Sequence, residues 1–325
     1  MKILLLSSKP ADIEFFQAAS AIAGFPLVKM DSPETVCAEL TSNPATLIVL
    51  DTTTEQQYKD FENCLAEKIG LFNQIVNPNW MFFIAGKELH KATYLASSEL
   101  FGTIIPRTFS KENQEQLGHL LKLAGNSANN ANHTDIARFF GEKVKTQNIK
   151  VTKSKQKQAI VESLKNHLAE IGFKLRTAAL IASAADELIM NAIFDAPVDK
   201  TGKYIYSQTP RSAELELDEK NSVDFKVAFD GNLLGISVTD QYGSLDKKKV
   251  LRHVSKSYEM EEYKVKTNVA GAGVGLSNVY RNCSGIVFEC ESGTRTTVSV
   301  FYKKTASFKE FKDQFRFLST LTYFT

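Results

Sequence analysis

Five strand-length apolar runs separated by helix-patterned segments dominate the first 123 residues: KILLLS (2–7), FPLVKM (25–30), TLIVLD (46–51), WMFFIA (80–85) and GTIIP (102–106). None alternates polar with apolar residues, so each is expected to be covered on both faces, the condition of a parallel sheet flanked by helices. The intervening segments are amphipathic, and one of them, ADIEFFQAASAIAG, ends in the helix-stopping Gly24. Five such β–α units in about 120 residues predict a flavodoxin-like, doubly wound α/β domain over residues 1–123.

The pattern then breaks. AGNSANNANH (124–133) has no periodicity and opens a linker expected to run over 124–142. Beyond it, a strand-like KVKTQNIKV (143–151) precedes a helix from about Ser154 to Ile171, closed by Gly172, and a second helix from about Lys174 to Asp195. Three strands are expected next: AELEL (213–217), VDFKVAFD (223–230) and LLGISVTD (233–240). The last two are joined at Asp230-Gly231, a hairpin turn signal. A polar segment (251–269), the glycine run AGAGVGL with a short helix, and the strands GIVFECE and TTVSVFY complete the region. Helices first and an antiparallel-leaning sheet after them predict an α+β sandwich over 143–305. The tail 306–325 carries Phe308, Phe311, Phe315 and Leu318 at helix-face spacing, for packing on its own domain or for docking a partner or a second copy.

A chain of 325 residues exceeds what one core usually supports, in keeping with two domains. The net charge of +2 argues against a dedicated nucleic-acid binder. Cys37, Cys64, Cys283 and Cys290 form no C-x-x-C pair, and the five histidines show no metal spacing, so reduced thiols in a cytoplasmic protein are expected. The opening MKILLLSS is too short an apolar run for a signal peptide, and no stretch looks like a membrane span of roughly 20 apolar residues.

Four polar features stand out in the second region. In AADELIMNAIFDAP (184–197), Ser183, Glu187 and Asn191 share one face at i, i+4 spacing, while Ala178, Ile181, Ala185, Leu188 and Ala192 fill the other. Alone, such a stripe is a solvated helix edge. AGAGVGLSNV (270–279) places Gly271, Gly273 and Gly275 ahead of a helix, where backbone N–H groups can approach an anion. It lacks the Gly-Lys-Ser/Thr of a P-loop, and Leu276 stands where a Rossmann fingerprint needs Gly or Ala. Asp240 closes an apolar strand shortly before Gly243, as a turn-former or as a buried acceptor for an amino group. Thr296 follows Gly293 at the start of the last strand.

In order and spacing these features resemble the GHKL ATPases, the superfamily of gyrase, MutL and histidine-kinase ATPase domains, whose fold is the Bergerat sandwich. ADELIMNA looks like the N box, VTDQYG the first glycine box, GAGVGL the second and GTRTTV the terminal box. The resemblance implies ATP and Mg²⁺ as cofactors. Asn191 would offer oxygen to Mg²⁺, and Glu187 would take a proton from water or a substrate hydroxyl. Asp240 would select adenine, with Gly243 in its turn. Gly271, Gly273, Gly275 and Leu276 would hold the phosphate side of a mobile lid over 251–270, and Thr296 would support the base. The chain departs from the pattern at Tyr242, where a glycine is expected, and at Arg295. It also departs at Phe194 and Asp195, where many histidine kinases carry a basic residue and a histidine.

None of His90, His119, His133, His167 or His253 lies in the H-E-[IL]-R-T-P context of a sensor kinase. A strand and one helix before the N box look instead like the anti-sigma-factor serine kinases, bacterial proteins that phosphorylate and sequester protein regulators. The N-terminal domain resembles response-regulator receivers, with Asp51 at the acceptor position. Ser7, Ser8 and Lys9 stand where the acidic metal-binding pair is expected, Ala85-Gly86 replace a Ser/Thr, and Pro106-Arg107 replace Lys-Pro. These departures imply a degenerate pseudo-receiver in a two-component-like pathway. Two functions stay open. One is an ATP-dependent kinase acting on a regulator or an anti-anti-sigma-like protein. The other is a non-enzymatic switch in which ATP orders the lid and the lid controls a partner.

Overall fold

Burial on both faces is what shapes the N-terminal sheet. A computed structural model describes residues 1–70, 76–86, 92, 94–95, 98–107, 109, 111–126, 135–141, 143–246, 248–251, 274–312 and 317–323. The chain divides into two units, Met1–His133 with Phe317–Leu321, and Thr134–Arg316 with Thr322–Thr325.

In the first unit, β1 (Lys2–Leu6), β2 (Leu27–Met30), β3 (Thr46–Asp51), β4 (Met81–Ala85) and β5 (Thr103–Pro106) each fall on one of the five apolar runs. All pair in parallel, in the order β2-β1-β3-β4-β5, that of flavodoxin-like sheets. Every residue of the interior strands β3 and β4 is buried, whereas β2, at the edge, exposes Val28 and Lys29. The helices are α1 (Pro10–Ala23), α2 (Pro33–Ser42), α3 (Glu55–Ile69) and α4 (Lys111–Asn126). Pro10 opens α1 and Gly24, at φ 75°, ends it; Ser32 and Thr54 cap α2 and α3 through reciprocal capping boxes. α1 packs against α4, and α2 against α3.

The second unit opens with β6 (Lys145–Val151), α5 (Gln156–Glu170) and α6 (Leu175–Met190). There follow β7 (Val223–Phe229), β8 (Leu233–Asp240), α7 (Val274–Asn282), β9 (Gly285–Glu291) and β10 (Arg295–Lys303). The five strands form an antiparallel sheet in the order β9-β10-β8-β7-β6. α5 and α7 pack on α6, which lies against β8. The apolar side read from the sequence is the buried one, with Ala178, Ile181 and Ala185 at 0% exposure.

Three details differ from expectation. AELEL is not a strand: Glu216 makes a single bridge to Lys153, because the residues opposite turn at once into α5. The second helix does not stay α-helical to its end. From Asn191 to Asp195 it widens into one π turn, in which the Ala196 N–H donates to the Asn191 carbonyl at 2.9 Å. The tail is not one helix either, since only Phe308–Lys312 is helical and Phe317–Tyr323 forms β11, antiparallel to β5 with Leu318 opposite Ile104. Its threonines and aromatics are strand formers, and β5 offers an open edge. Phe315 lies outside the described residues. Leu175–Asp195, 21 residues with an 18-residue window of mean hydropathy 1.4, is long and apolar enough to cross a membrane, and 67% of that window is buried inside the protein.

Candidate active site

Alternation along β8, β9 and β10 sends Val238, Asp240, Phe288, Thr296 and Val298 to the face that α6 covers. There a cavity of about 500 Å³ opens, lined also by Glu187, Leu188, Asn191 and Leu276. Glu187, Asn191, Asp240, Leu276 and Thr296, all singled out in the sequence, thus share one space.

The buried end of the cavity is polar and incompletely paired. Asp240 is 6% exposed, and Thr296 stands opposite it in the β8–β10 ladder at 3%. Burial pushes the Asp240 carboxyl up to about 7, against the opposing pull of the backbone N–H groups of Tyr242, Gly243 and Thr296 and of the nearby Thr296 hydroxyl. The Tyr242 N–H donates to Asp240 Oδ1 at 2.9 Å. Thr296 Oγ1 makes no hydrogen bond of good geometry, although it lies close enough to Asp240 and Cys290 to favour the charged form of each. Tyr242 meets Asp240 through its backbone N–H, and it is not among the residues that line the cavity. Gly243 has φ 58°, and a Cβ there would strike the Glu291 carbonyl and the Gly293 amide, so glycine is required. Arg295 pairs with Glu291 directly across the β9–β10 hairpin at 3.0 Å.

The open end carries the charges. Glu187 and Asn191 are one turn apart on α6 and its π turn. Gly275, at the start of α7, backs directly onto Glu187, and a Cβ at Gly275 would land on the Glu187 carboxyl group. Gly271, Gly273 and residues 252–270, most of the segment expected to form a lid, lie outside the described residues.

Sequence reasoning missed Arg211. It follows a folded-back segment in which the Ile205 N–H donates to the Pro197 carbonyl, and it rides on a turn closed from Ala213 N–H to the Pro210 carbonyl. Its NH1 lies 3.4 and 3.3 Å from the two Glu187 oxygens, its NH2 donates to Asn191 Oδ1 at 3.1 Å, and NH2 also pairs with Asp195. Tyr204, Tyr206, Thr209 and Lys249 complete this end, with the Lys249 ammonium 4.1 Å from the centre of the Tyr204 ring. Residues 197–213 have no periodicity, so nothing in the sequence marked them.

The first unit holds a second cluster at the ends of β1, β3 and β5. Arg107 donates through Nε to Asp12 Oδ1 at 2.9 Å and through NH2 to Asp12 Oδ2 at 2.8 Å, and its NH2 lies 2.8 Å from Asp51 Oδ1. Lys9 Nζ lies 3.0 Å from Asp51 Oδ2, the Thr53 hydroxyl donates to Asp51 Oδ1 at 2.6 Å, and the Ser7 hydroxyl donates to Asp12 at 2.6 Å. Asp12, fully buried, is a second carboxylate that the sequence reading overlooked. It sits in the first turn of α1 rather than directly after β1. Burial alone would raise Asp51, but hydrogen bonds from Thr53, Arg107 and Lys9 prevail and bring it down to about 2.

No family model matches the chain, and no curated protein matches it.

Proposed function

We propose that the second unit is a Bergerat-type GHKL ATPase domain and that the protein is a Mg-ATP-dependent serine/threonine protein kinase of the anti-sigma-factor type, governed by a pseudo-receiver. The observation that carries this reading is the convergence of Glu187, Asn191, Asp240, Leu276 and Thr296, far apart in the chain, on one cavity.

The residues present suit an adenine nucleotide. Leu188, Val238, Phe288 and Val298 offer apolar walls to a flat base. Asp240 would accept from an exocyclic amino group, and the Thr296 hydroxyl beside it would reach the same edge of the base. Asn191 Oδ1 is a hard oxygen ligand for Mg²⁺. When bound, Mg-ATP would supply the transferable phosphoryl group. Glu187 would then accept the proton of a serine or threonine hydroxyl on the protein substrate, a contribution of about 10²–10⁴ in rate. The helical turn fixes its spacing from Asn191, and Gly275 leaves its carboxylate room. In the first unit, Lys9 and Arg107 neutralise both carboxylates, so that unit would signal without phosphorylation.

Arg211 favours a second reading, a non-enzymatic ATP-dependent binding switch, because it already holds Glu187. ATP consumption and partner labelling at saturating Mg-ATP separate the two. A wild type that binds ATP and labels a partner is the kinase; one that binds ATP and does neither is the switch.

A further inference from the structure

Arg211 contacts the three oxygen-bearing side chains that α6 and its π turn present at the open end of the cavity. Its guanidinium occupies Asn191 Oδ1, both oxygens of Glu187 and one oxygen of Asp195. The side chain is 38% exposed, so no packing barrier keeps it there. Mg²⁺ binds oxygen at about 2.0–2.1 Å and demands near-octahedral space. With a guanidinium nitrogen 3.1 Å from the same amide oxygen, that space is taken, and a second positive charge is disfavoured. Metal and arginine therefore compete for one donor set. An arginine fork released from carboxylates is matched in shape and charge to phosphate oxygens.

We propose that Arg211 is an exchange residue. In the free protein it stands in for the divalent cation on Glu187, Asn191 and Asp195; on nucleotide binding it transfers to the polyphosphate and leaves Asn191 to the metal. The inference rests on the nucleotide reading above and adds a rule to it: the divalent ion is admitted only together with a polyphosphate. An arginine serving only to pin residues 197–211 against α6 would not produce this rule.

The test measures two affinities on the full chain. Mn²⁺ alone is titrated by electron paramagnetic resonance, and ATP in excess EDTA by calorimetry. Removal of Arg211 should move them in opposite directions. Arg211→Ala should bind Mn²⁺ alone about tenfold more tightly than wild type, because two carboxylates and an amide are uncovered. It should bind metal-free ATP about tenfold more weakly, the scale of one charge-assisted hydrogen bond. Arg211→Lys, which keeps the charge without the fork, should still exclude Mn²⁺. If Arg211→Ala does not fold, Arg211→Gln carries the same two expectations. Shifts of one sign, or none, overturn the exchange while leaving nucleotide binding intact. A wild type that binds ATP neither with Mg²⁺ nor without it overturns the nucleotide reading, and the exchange with it.

Discussion

Asp51 and Asp240 each close a buried strand and expose little surface, 5% and 6%, though Asp240 is the more deeply enclosed; their acidities move apart, to about 2 and about 7. Burial by itself pushes both upward. Asp51 faces Lys9 and Arg107, which with Asp12 make a balanced set of two cations and two carboxylates. Asp240 faces no cation: its neighbours are backbone N–H groups and the Thr296 hydroxyl, beside a cavity of about 500 Å³. The first arrangement is complete; the second has acceptor capacity to spare. Charged partners and depth together separate the two: cations hold Asp51 ionised, and deep enclosure without a cation raises Asp240. The two arginines repeat the lesson: Arg107, 18% exposed, bridges carboxylates inside a closed cluster, whereas Arg211, 38% exposed, lies across an open one.

The largest effect is expected at Glu187. Glu187→Gln should keep ATP affinity and reduce phosphorylation of the partner by about 10²–10⁴; a variant as active as wild type would place the base elsewhere. Next is Arg107→Ala, which leaves buried Asp12 without a cation and Asp51 with Lys9 alone, and should cost about 3 kcal/mol. Trp80, the single tryptophan, is in the first unit, so its fluorescence during denaturant unfolding reads that loss. An unchanged midpoint would mean the cluster is not the closed set described.

Smaller effects should appear in the pH dependence, with opposite signs. Asp51, held below its unfolded value of 3.8, stabilises its unit above about pH 4 and loses that contribution as pH falls toward 2. Asp240, held above the same value, keeps in the folded state a proton that the unfolded chain has released. Stability should therefore fall as pH rises from about 4 through 7, by no more than about 1.4 kcal/mol per pH unit. Unfolding followed by circular dichroism should show the second slope in wild type and lose it in Asp240→Asn. The smallest expected effect is none at all: acetyl phosphate with Mg²⁺ should not label Asp51, because Lys9 and Arg107 already occupy its oxygens. Stoichiometric labelling absent from Asp51→Asn would overturn the pseudo-receiver reading.

Periodicity made the fold legible where each run of residues meets one environment. TLIVLD is buried at every position and occupies β3 as written, and the apolar stripe of α6 is the stripe that packs. It failed where a partner decides the outcome. AELEL has strand alternation but meets a chain already turning into a helix. The tail has helical spacing as far as Leu318, yet only Phe308–Lys312 is helical and Phe317–Tyr323 pairs with the edge of β5. In the site, Glu187, Asn191, Asp240 and Thr296 were legible because each stands out from an apolar element. Arg211 and Asp12 were not, since an arginine in an aperiodic loop and an acid in a helix's first turn look like ordinary surface residues. Only the fold brings them against carboxylates. The π turn has no sequence signature in this helix.

The most direct test of an adenine site at Asp240 is calorimetric titration of Mg-ATP into wild type and Asp240→Ala, with Mg-GTP as the control. Wild type should bind Mg-ATP, and Asp240→Ala should bind it at least about tenfold more weakly, the scale of a lost hydrogen bond to a charged group. Mg-GTP, which presents a carbonyl where adenine presents its amino group, should bind both proteins weakly. Equal affinity of wild type and Asp240→Ala for Mg-ATP would contradict the account.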